Sequence, residues 1–178
     1  MRSEFTRKLA FSAMAVAVAV ATSFIKFGMP MGGSITLFSM LFICLIGYWF
    51  GLGWGLTAGV AYGVLQFIIE PYMLTIPQVL LDYVFAFGAL GLSGLFRGKK
   101  HGLYLGYITG VLGRFVFSTL SGVIFFASYA PEGMNPWVYS ILYQGIYLGG
   151  EALITLILLA VPAVNRSISR VHQTAVAD

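Results

Sequence analysis

Charge is what this chain has least of. Asp, Glu, Lys and Arg make up 9% of its 178 residues, where a soluble domain carries about 25%. There is one cysteine, Cys44, which excludes an intrachain disulfide; it sits inside an apolar run and reads as a small packing or lipid-facing residue. The two histidines, His101 and His172, fall in polar segments and cannot ligate a haem or metal at membrane depth. No HExxH, no paired glutamates and no Ser/His arrangement lies within the apolar runs, so the clustered set that an intramembrane enzyme needs is missing. There is no Walker motif, so any use of ATP must come from a partner. We expect no catalytic residue, no metal and no cofactor. No composition shift, low-complexity segment or soluble appendage divides the chain, and residues 1–178 read as one domain.

What is there is apolar sequence. Hydrophobic residues reach 59% and the mean hydropathy is +0.90, the composition of an integral membrane protein. A net charge of +4 and a pI near 9.3 would suggest nucleic acid in a soluble protein. Here they indicate loops facing anionic lipid, and no nucleic-acid partner is expected.

Six apolar runs can be read: Leu9–Ile25, Thr36–Phe50, Trp54–Ile69, Val79–Phe96, Leu103–Tyr129 and Trp137–Val164. A span needs about 20 apolar residues, with about 17 tolerated, and the second run is short. Basic residues ahead of the first run could mark a signal peptide, but its length and the membrane character of the rest favour a retained helix. Lys26–Ile35 holds Pro30, Gly32 and Gly33 and reads as a loop. Pro77 suits a first helical position. The expected fold is all-α, a single bundle of six transmembrane helices. With six spans, Arg2, Arg7, Lys8, Arg97, Lys99, Lys100, Arg166 and Arg170 share one side, and Lys26 falls on the other. Basic residues favour the cytoplasm, so both termini are expected there, in a multi-pass protein of the cell membrane. Glu70 and Glu132 then lie outside.

Ser121–Gln144 concentrates aromatics around a turn. Phe125, Phe126, Tyr129, Trp137, Tyr139 and Tyr143 flank Pro131, Gly133 and Pro136. Two readings stand: an interfacial aromatic belt, or a stacking cage for a flat ligand beneath an outer loop.

Three ionisable residues remain within the runs, and such residues are usually paired or functional. At 1.5 Å per residue, Asp82 lies about 8 Å below Pro77, Ser118 about 18 Å and Arg114 about 24 Å below Ala130, and Glu151 about 22 Å below Pro136. Arg114 and Glu151, at matching depth on consecutive helices, are expected to form a structural ion pair; alternatively each faces a polar cavity. Asp82, shallow and next to Tyr83, suits a cationic ligand. On the first helix, Ala13, Ala17 and Ala21 repeat every four residues and share a face, either for internal packing or for close approach of a partner helix.

Leu80-Leu81-Asp82-Tyr83-Val84-Phe85-Ala86-Phe87-Gly88 resembles the fourth-helix signature of the thiamine-specific S components of energy-coupling factor transporters. Met29-Pro30-Met31-Gly32-Gly33-Ser34 resembles their first outer loop. Ser128–Met134, continuing through Tyr139-Ser140, resembles their fifth loop and sixth-helix entry. The resemblance spans nearly the whole chain. It implies a non-enzymatic vitamin-binding subunit that works with a transmembrane coupling subunit and two cytoplasmic ATPases. The alanine face of the first helix is then where the coupling subunit docks. Asp82 and Tyr83 match the family's acidic-Tyr pair, and Tyr139 its sixth-helix tyrosine. The family's pocket histidine falls at Ser118, which loses a stacking surface. Its tryptophan falls at Phe126, which lacks the indole N–H. Its sixth-helix asparagine falls at Gln144, the same amide on a longer arm. Trp137 and Tyr143 complete the expected walls. Thiamine is the first expectation for the ligand. A thiamine-precursor pyrimidine or a B6 vitamer is the alternative, and a stand-alone secondary transporter or a purely structural anchor are the readings from other classes.

Overall fold

A computed structural model describes residues 2–28 and 34–176. Among these described residues seven helices follow one another: α1 (Arg2–Ser23), α2 (Ser39–Phe50), α3 (Leu52–Ile69), α4 (Ile76–Phe96), α5 (Gly102–Phe125), α6 (Pro136–Ala160) and α7 (Pro162–Val176). α1, α3, α4, α5 and α6 are long and apolar enough to cross a membrane. α2 has 12 residues, about 18 Å of helix, and falls short of a bilayer core. It stands in the bundle centre instead, with Met40, Ile43, Cys44 and Ile46 all fully buried. The six-helix bundle of the sequence reading is therefore present, with one half-length member whose apolar run faces protein rather than lipid. Lipid contact is left to outward side chains such as Leu112, Leu153 and Ile157, each more than half exposed.

Between α1 and α2 the chain forms an antiparallel hairpin, β1 (Lys26–Gly28) against β2 (Ser34–Thr36), in register Lys26↔Thr36, Phe27↔Ile35 and Gly28↔Ser34. The sequence reading treated this stretch as loop. Residues 29–33, which carry most of the first outer-loop resemblance, lie outside the described residues. Gly51, at φ 96, makes the sharp turn from α2 into α3 that an L side chain would resist.

α4 is irregular. One α turn (Ile76–Val79) leads into a π segment (Leu80–Phe85), a short α stretch and a 3-10 segment (Ala89–Phe96). Thr75 caps its start, accepting from the Gln78 N–H at 3.3 Å. Close packing accompanies the unusual winding. A Cβ on Gly63 of α3 would stand 1.8 Å from the Tyr83 carbonyl oxygen, and one on Gly91 would stand 2.2 Å from the Leu56 nitrogen. The backbones of α3 and α4 touch because those positions are glycine.

The fifth apolar run stops being α-helical at Phe125, and a 3-10 turn spans Ala127–Tyr129. The sixth ends at Ala160. Val161 is extended (φ −69, ψ 120), as a residue before proline prefers, and Pro162 opens α7. The tail is thus a separate amphipathic helix that folds back under the bundle. His172 sits against Tyr48 at 5.4 Å and stacks on Trp49 at 6.4 Å between ring centroids. Phe5 packs on Trp54 nearby. The start of α1, the 97–101 connector and α7 share this end, and the hairpin with the 70–75 and 126–135 connections forms the other.

Candidate functional site

At the hairpin end the helices diverge around a cavity of about 670 Å³, well within the usual range for ligand pockets. α4 brings Gln78, Asp82, Tyr83 and Phe87 to one wall. α5 brings Arg114, Ser118, Gly122 and Phe126, and α6 brings Tyr139, Ser140, Tyr143 and Gln144. The end of α3 adds Tyr62, Gln66 and Glu70, and the hairpin adds Lys26, Ser34 and Thr36.

Asp82 owes its position to the π segment, a winding that recurs at functional sites. The Gln78 Nε2 donates to Asp82 Oδ2 at 2.6 Å, while the Gln78 Oε1 accepts from the Leu74 N–H at 3.1 Å. Gln78 is almost wholly buried, at 1% exposure, so this amide is a fixed brace. Tyr83 packs edge-on against Phe67, with centroids 5.1 Å apart, and its hydroxyl donates to the Glu70 carbonyl at 3.0 Å. Opposite, Tyr139 and Tyr143 are 6.0 Å apart and Tyr143 lies 4.5 Å from Tyr147. The Gln144 side-chain amide points to the Ser118 carbonyl at 3.5 Å.

The mouth is built from loops. Tyr72 packs against Phe126 with tilted rings, centroids 5.7 Å apart, and shares a 3.1 Å hydroxyl contact with Tyr129. That hydrogen bond holds the Tyr72 phenol above its ordinary pKa. Lys26 pairs with Glu70 across the rim. These contacts tie the 26–28 strand, the 70–75 connection and the 126–135 connection together over the cavity.

Asp82, Tyr83, Ser118, Phe126, Tyr139, Tyr143 and Gln144 therefore line one cavity. Trp137 does not join them. It occupies the first turn of α6, half exposed, above the cavity walls, where it belongs with the interfacial aromatics.

The Arg114–Glu151 ion pair is also corrected. Among the described residues the ion pairs are Lys8–Glu4 and Lys26–Glu70. Glu151, 3% exposed, accepts instead from the Thr36 hydroxyl at 2.7 Å, the Ser39 hydroxyl at 3.2 Å and the Met40 N–H at 3.2 Å. Those groups surround the start of α2, whose N-cap, Phe38, offers no side-chain acceptor. A helix N-terminus carries unpaired N–H groups and a partial positive charge, and Glu151 answers both across space. Arg114 lies on the Phe87 ring, with Cζ 4.1 Å from the centroid, and lines the cavity, which was the alternative for it.

On α1, Ala13, Ala17 and Ala21 are exposed, whereas Ala15 and Ala19 are buried. The first stripe points away from the bundle and the second packs into it.

The sequence reading missed Gln78 and the Lys26–Glu70 and Tyr72–Tyr129 rim contacts. Only Gln78 left a trace, its four-residue spacing from Asp82, which places two side chains together on one helix face.

Apolar helices long enough to span a membrane around a polar and aromatic cavity define a membrane protein with a pocket of small-molecule size, and the family match below makes it a transport protein rather than an enzyme. Residues 9–170 match the family model described as Thiamine transporter protein (Thia_YuaJ), and the chain belongs to that family. It is 35% identical over 145 residues to the thiamine transporter ThiT of Bacillus subtilis, covering 74% of this chain and 75% of that protein. It is 32% identical over 121 residues to ThiT of Lacticaseibacillus paracasei, covering 58% of each. The fold is that of ThiT from Listeria monocytogenes, with a TM-score of 0.77, 24% identity, and coverage of 90% of this chain and 94% of that one.

Proposed function

We propose that this protein is the thiamine-binding S component of an energy-coupling factor transporter. Thiamine carries a thiazolium cation and an aminopyrimidine ring. The observation that carries the reading is Asp82, braced by Gln78, on the wall of a cavity with Tyr83, Phe126, Tyr139 and Tyr143. A carboxylate among aromatic faces is complementary to a flat cation. Ser118 and Gln144 supply polar contacts between them. The ligand enters from the outer face, through the mouth closed by the Tyr72–Tyr129 and Lys26–Glu70 contacts. The basic end carries both termini and faces the cytoplasm. The exposed Ala13, Ala17 and Ala21 stripe receives the coupling subunit, and two ATPases supply the energy.

Calorimetric titration of thiamine into the purified protein tests the assignment. Wild type binds, and Asp82→Asn weakens binding, because removing one partner of a buried charge pair costs about 2–5 kcal/mol, roughly 30-fold or more in affinity. Equal affinity in the two proteins would remove Asp82 from the site. Tighter binding of pyridoxine or of the isolated pyrimidine would replace thiamine as the ligand.

A further inference from the structure

A second cavity lies at the other end of the molecule. It measures about 190 Å³, below the usual range of about 300–1,000 Å³ for a whole organic ligand. At ~30 Å³ each it has room for about six waters, and so suits a compact polar group. α7 closes it with Asn165, Ser169 and His172, the end of α2 adds Tyr48, and His101 and Tyr104 line another side.

The lining holds donors that the fold leaves unused. Tyr104 and Asn165 are engaged: the Asn165 Nδ2 donates to the Tyr104 hydroxyl at 2.9 Å, and that hydroxyl donates to the Leu159 carbonyl at 2.8 Å. The side chains of Tyr48, His101, Ser169 and His172 have no hydrogen-bond partner among the described residues. Stacking on Trp49 fixes the His172 ring without using its N–H. The first turn of α5 belongs to the same lining, and its N-cap, His101, offers no side-chain acceptor. The partial positive charge of that helix start is therefore unanswered.

Charge points the same way. Arg97 stands close enough to His172 to act on it electrostatically. Lys99, Lys100, Arg166 and Arg170 are exposed on the two segments that frame the cavity. No carboxylate occurs between residues 83 and 131 or between 152 and 177, so neither segment supplies a counter-ion. Glu4, at this end of α1, is paired with Lys8.

We propose that this cavity is a phosphate site, which takes the phosphate of an anionic lipid headgroup or a free phosphate ion on the unused donors of Tyr48, His101, Ser169 and His172. Hydrogen bonds to a charged acceptor are about twice as strong as neutral ones, and basic clusters beside spanning helices attract anionic lipid. Because α7 and the start of α5 supply different walls, a bound phosphate clamps α7 to the bundle. The site is separate from the cavity at the hairpin end and does not depend on what that cavity binds.

The experiment follows amide hydrogen exchange across residues 163–176 at pH 7.5, in the full-length protein purified in a maltoside detergent. Sodium chloride is compared with sodium phosphate at equal ionic strength, and dioleoylphosphatidylglycerol with dioleoylglycerol, which has the same chains and no phosphate. Release of α7 opens the site, so a ligand at about ten times its dissociation constant raises protection about 10-fold. A rise with phosphatidylglycerol alone assigns the site to lipid, and a rise with inorganic phosphate shows that the free ion suffices. No rise with either, or an equal rise with dioleoylglycerol, overturns the proposal. His101→Gly with Ser169→Ala, both at exposed positions, removes the rise. Glycine suits the φ of 56 at residue 101, so the melting temperature of this variant in chloride stays close to wild type. A rise that survives the double substitution shows charge acting without the cavity and overturns the assignment. The wild-type comparisons stand by themselves should the variant fail to fold.

Discussion

The Asp82 carboxylate, proposed here to meet the ligand, is held in place by Gln78. Gln78 spends one end of its amide on Asp82 and the other on the Leu74 N–H, coupling the orientation of the charge to the connection between α3 and α4. Gln78→Met keeps the bulk and removes both bonds. Loss of a hydrogen bond to a charged group costs about 1.5–3 kcal/mol. Thiamine affinity in this variant is expected to fall about 10-fold or more, and the melting temperature of the ligand-free protein to drop by several degrees. Calorimetry beside a thermal scan checks this, and an unchanged affinity would show that Asp82 needs no brace. At this scale the sequence was partly readable. Asp82 and Tyr83 announced themselves as a polar pair in an apolar run. Arg114 and Glu151 were read at equal depth, but depth along a helix says nothing of rotation about it. Nor could the sequence reveal that α2 begins without a capping side chain and claims Glu151. Trp137 was drawn into the cage with the other aromatics that crowd the turn, and their clustering in sequence does not tell which of them face inward.

Element by element, apolar length identified the spanning segments, while their winding and ends depended on packing. Composition does not encode the π and 3-10 segments of α4. They go with the backbone contacts allowed at Gly63 and Gly91, which exist only once α3 and α4 lie side by side. The hairpin was hidden because three-residue strands carry too little pattern. α7 was hidden because the sixth apolar run passes through Val161 and Pro162 without a change in hydropathy. Its docking has a pH dependence that can be worked out. Burial, assisted by Arg97, pushes the His172 pKa below its ordinary value. A released α7 would therefore bind a proton more readily than a docked one. Above about pH 6.5, the ordinary histidine value, both forms are neutral and docking is at full strength. As pH falls below that value, the released form takes up protons first and docking weakens. Amide hydrogen exchange across residues 163–176, corrected for intrinsic rates, is expected to show less protection at pH 5.5 than at pH 7.5. In His172→Phe, which keeps an aromatic ring against Tyr48 and Trp49, that difference disappears. Protection that does not change with pH in wild type rules the mechanism out.

For the whole molecule, the question is how a binding subunit without a Walker motif is driven. The cavity opens at the end opposite the basic clusters, so whatever moves the ligand must act through the helices rather than at the mouth. α1 is the helix best placed for this. Its buried alanines, Ala15 and Ala19, seat it on the bundle, and Tyr62, which lines the cavity, donates to the Ala19 carbonyl at 3.4 Å. Gln66 reaches Ser23 at 2.9 Å near the outer end of the same helix. A partner seated on Ala13, Ala17 and Ala21 would therefore lie one helix away from the ligand. Without side-chain bulk on that stripe, helices in lipid can approach to backbone contact, where packing and weak polar contacts provide the association. Ala17→Trp places a large ring in the middle of the stripe, on a side that faces away from the bundle. Thiamine binding by the isolated variant is expected to match wild type, because no wall of the cavity changes. Uptake in cells that express the coupling subunit and ATPases is expected to be lost, and co-purification with the coupling subunit to fall with it. Ala19→Trp, by contrast, is expected to fail already at folding, since that position has no exposed surface. Normal uptake by Ala17→Trp would show that the stripe meets lipid alone and that the drive enters through another helix.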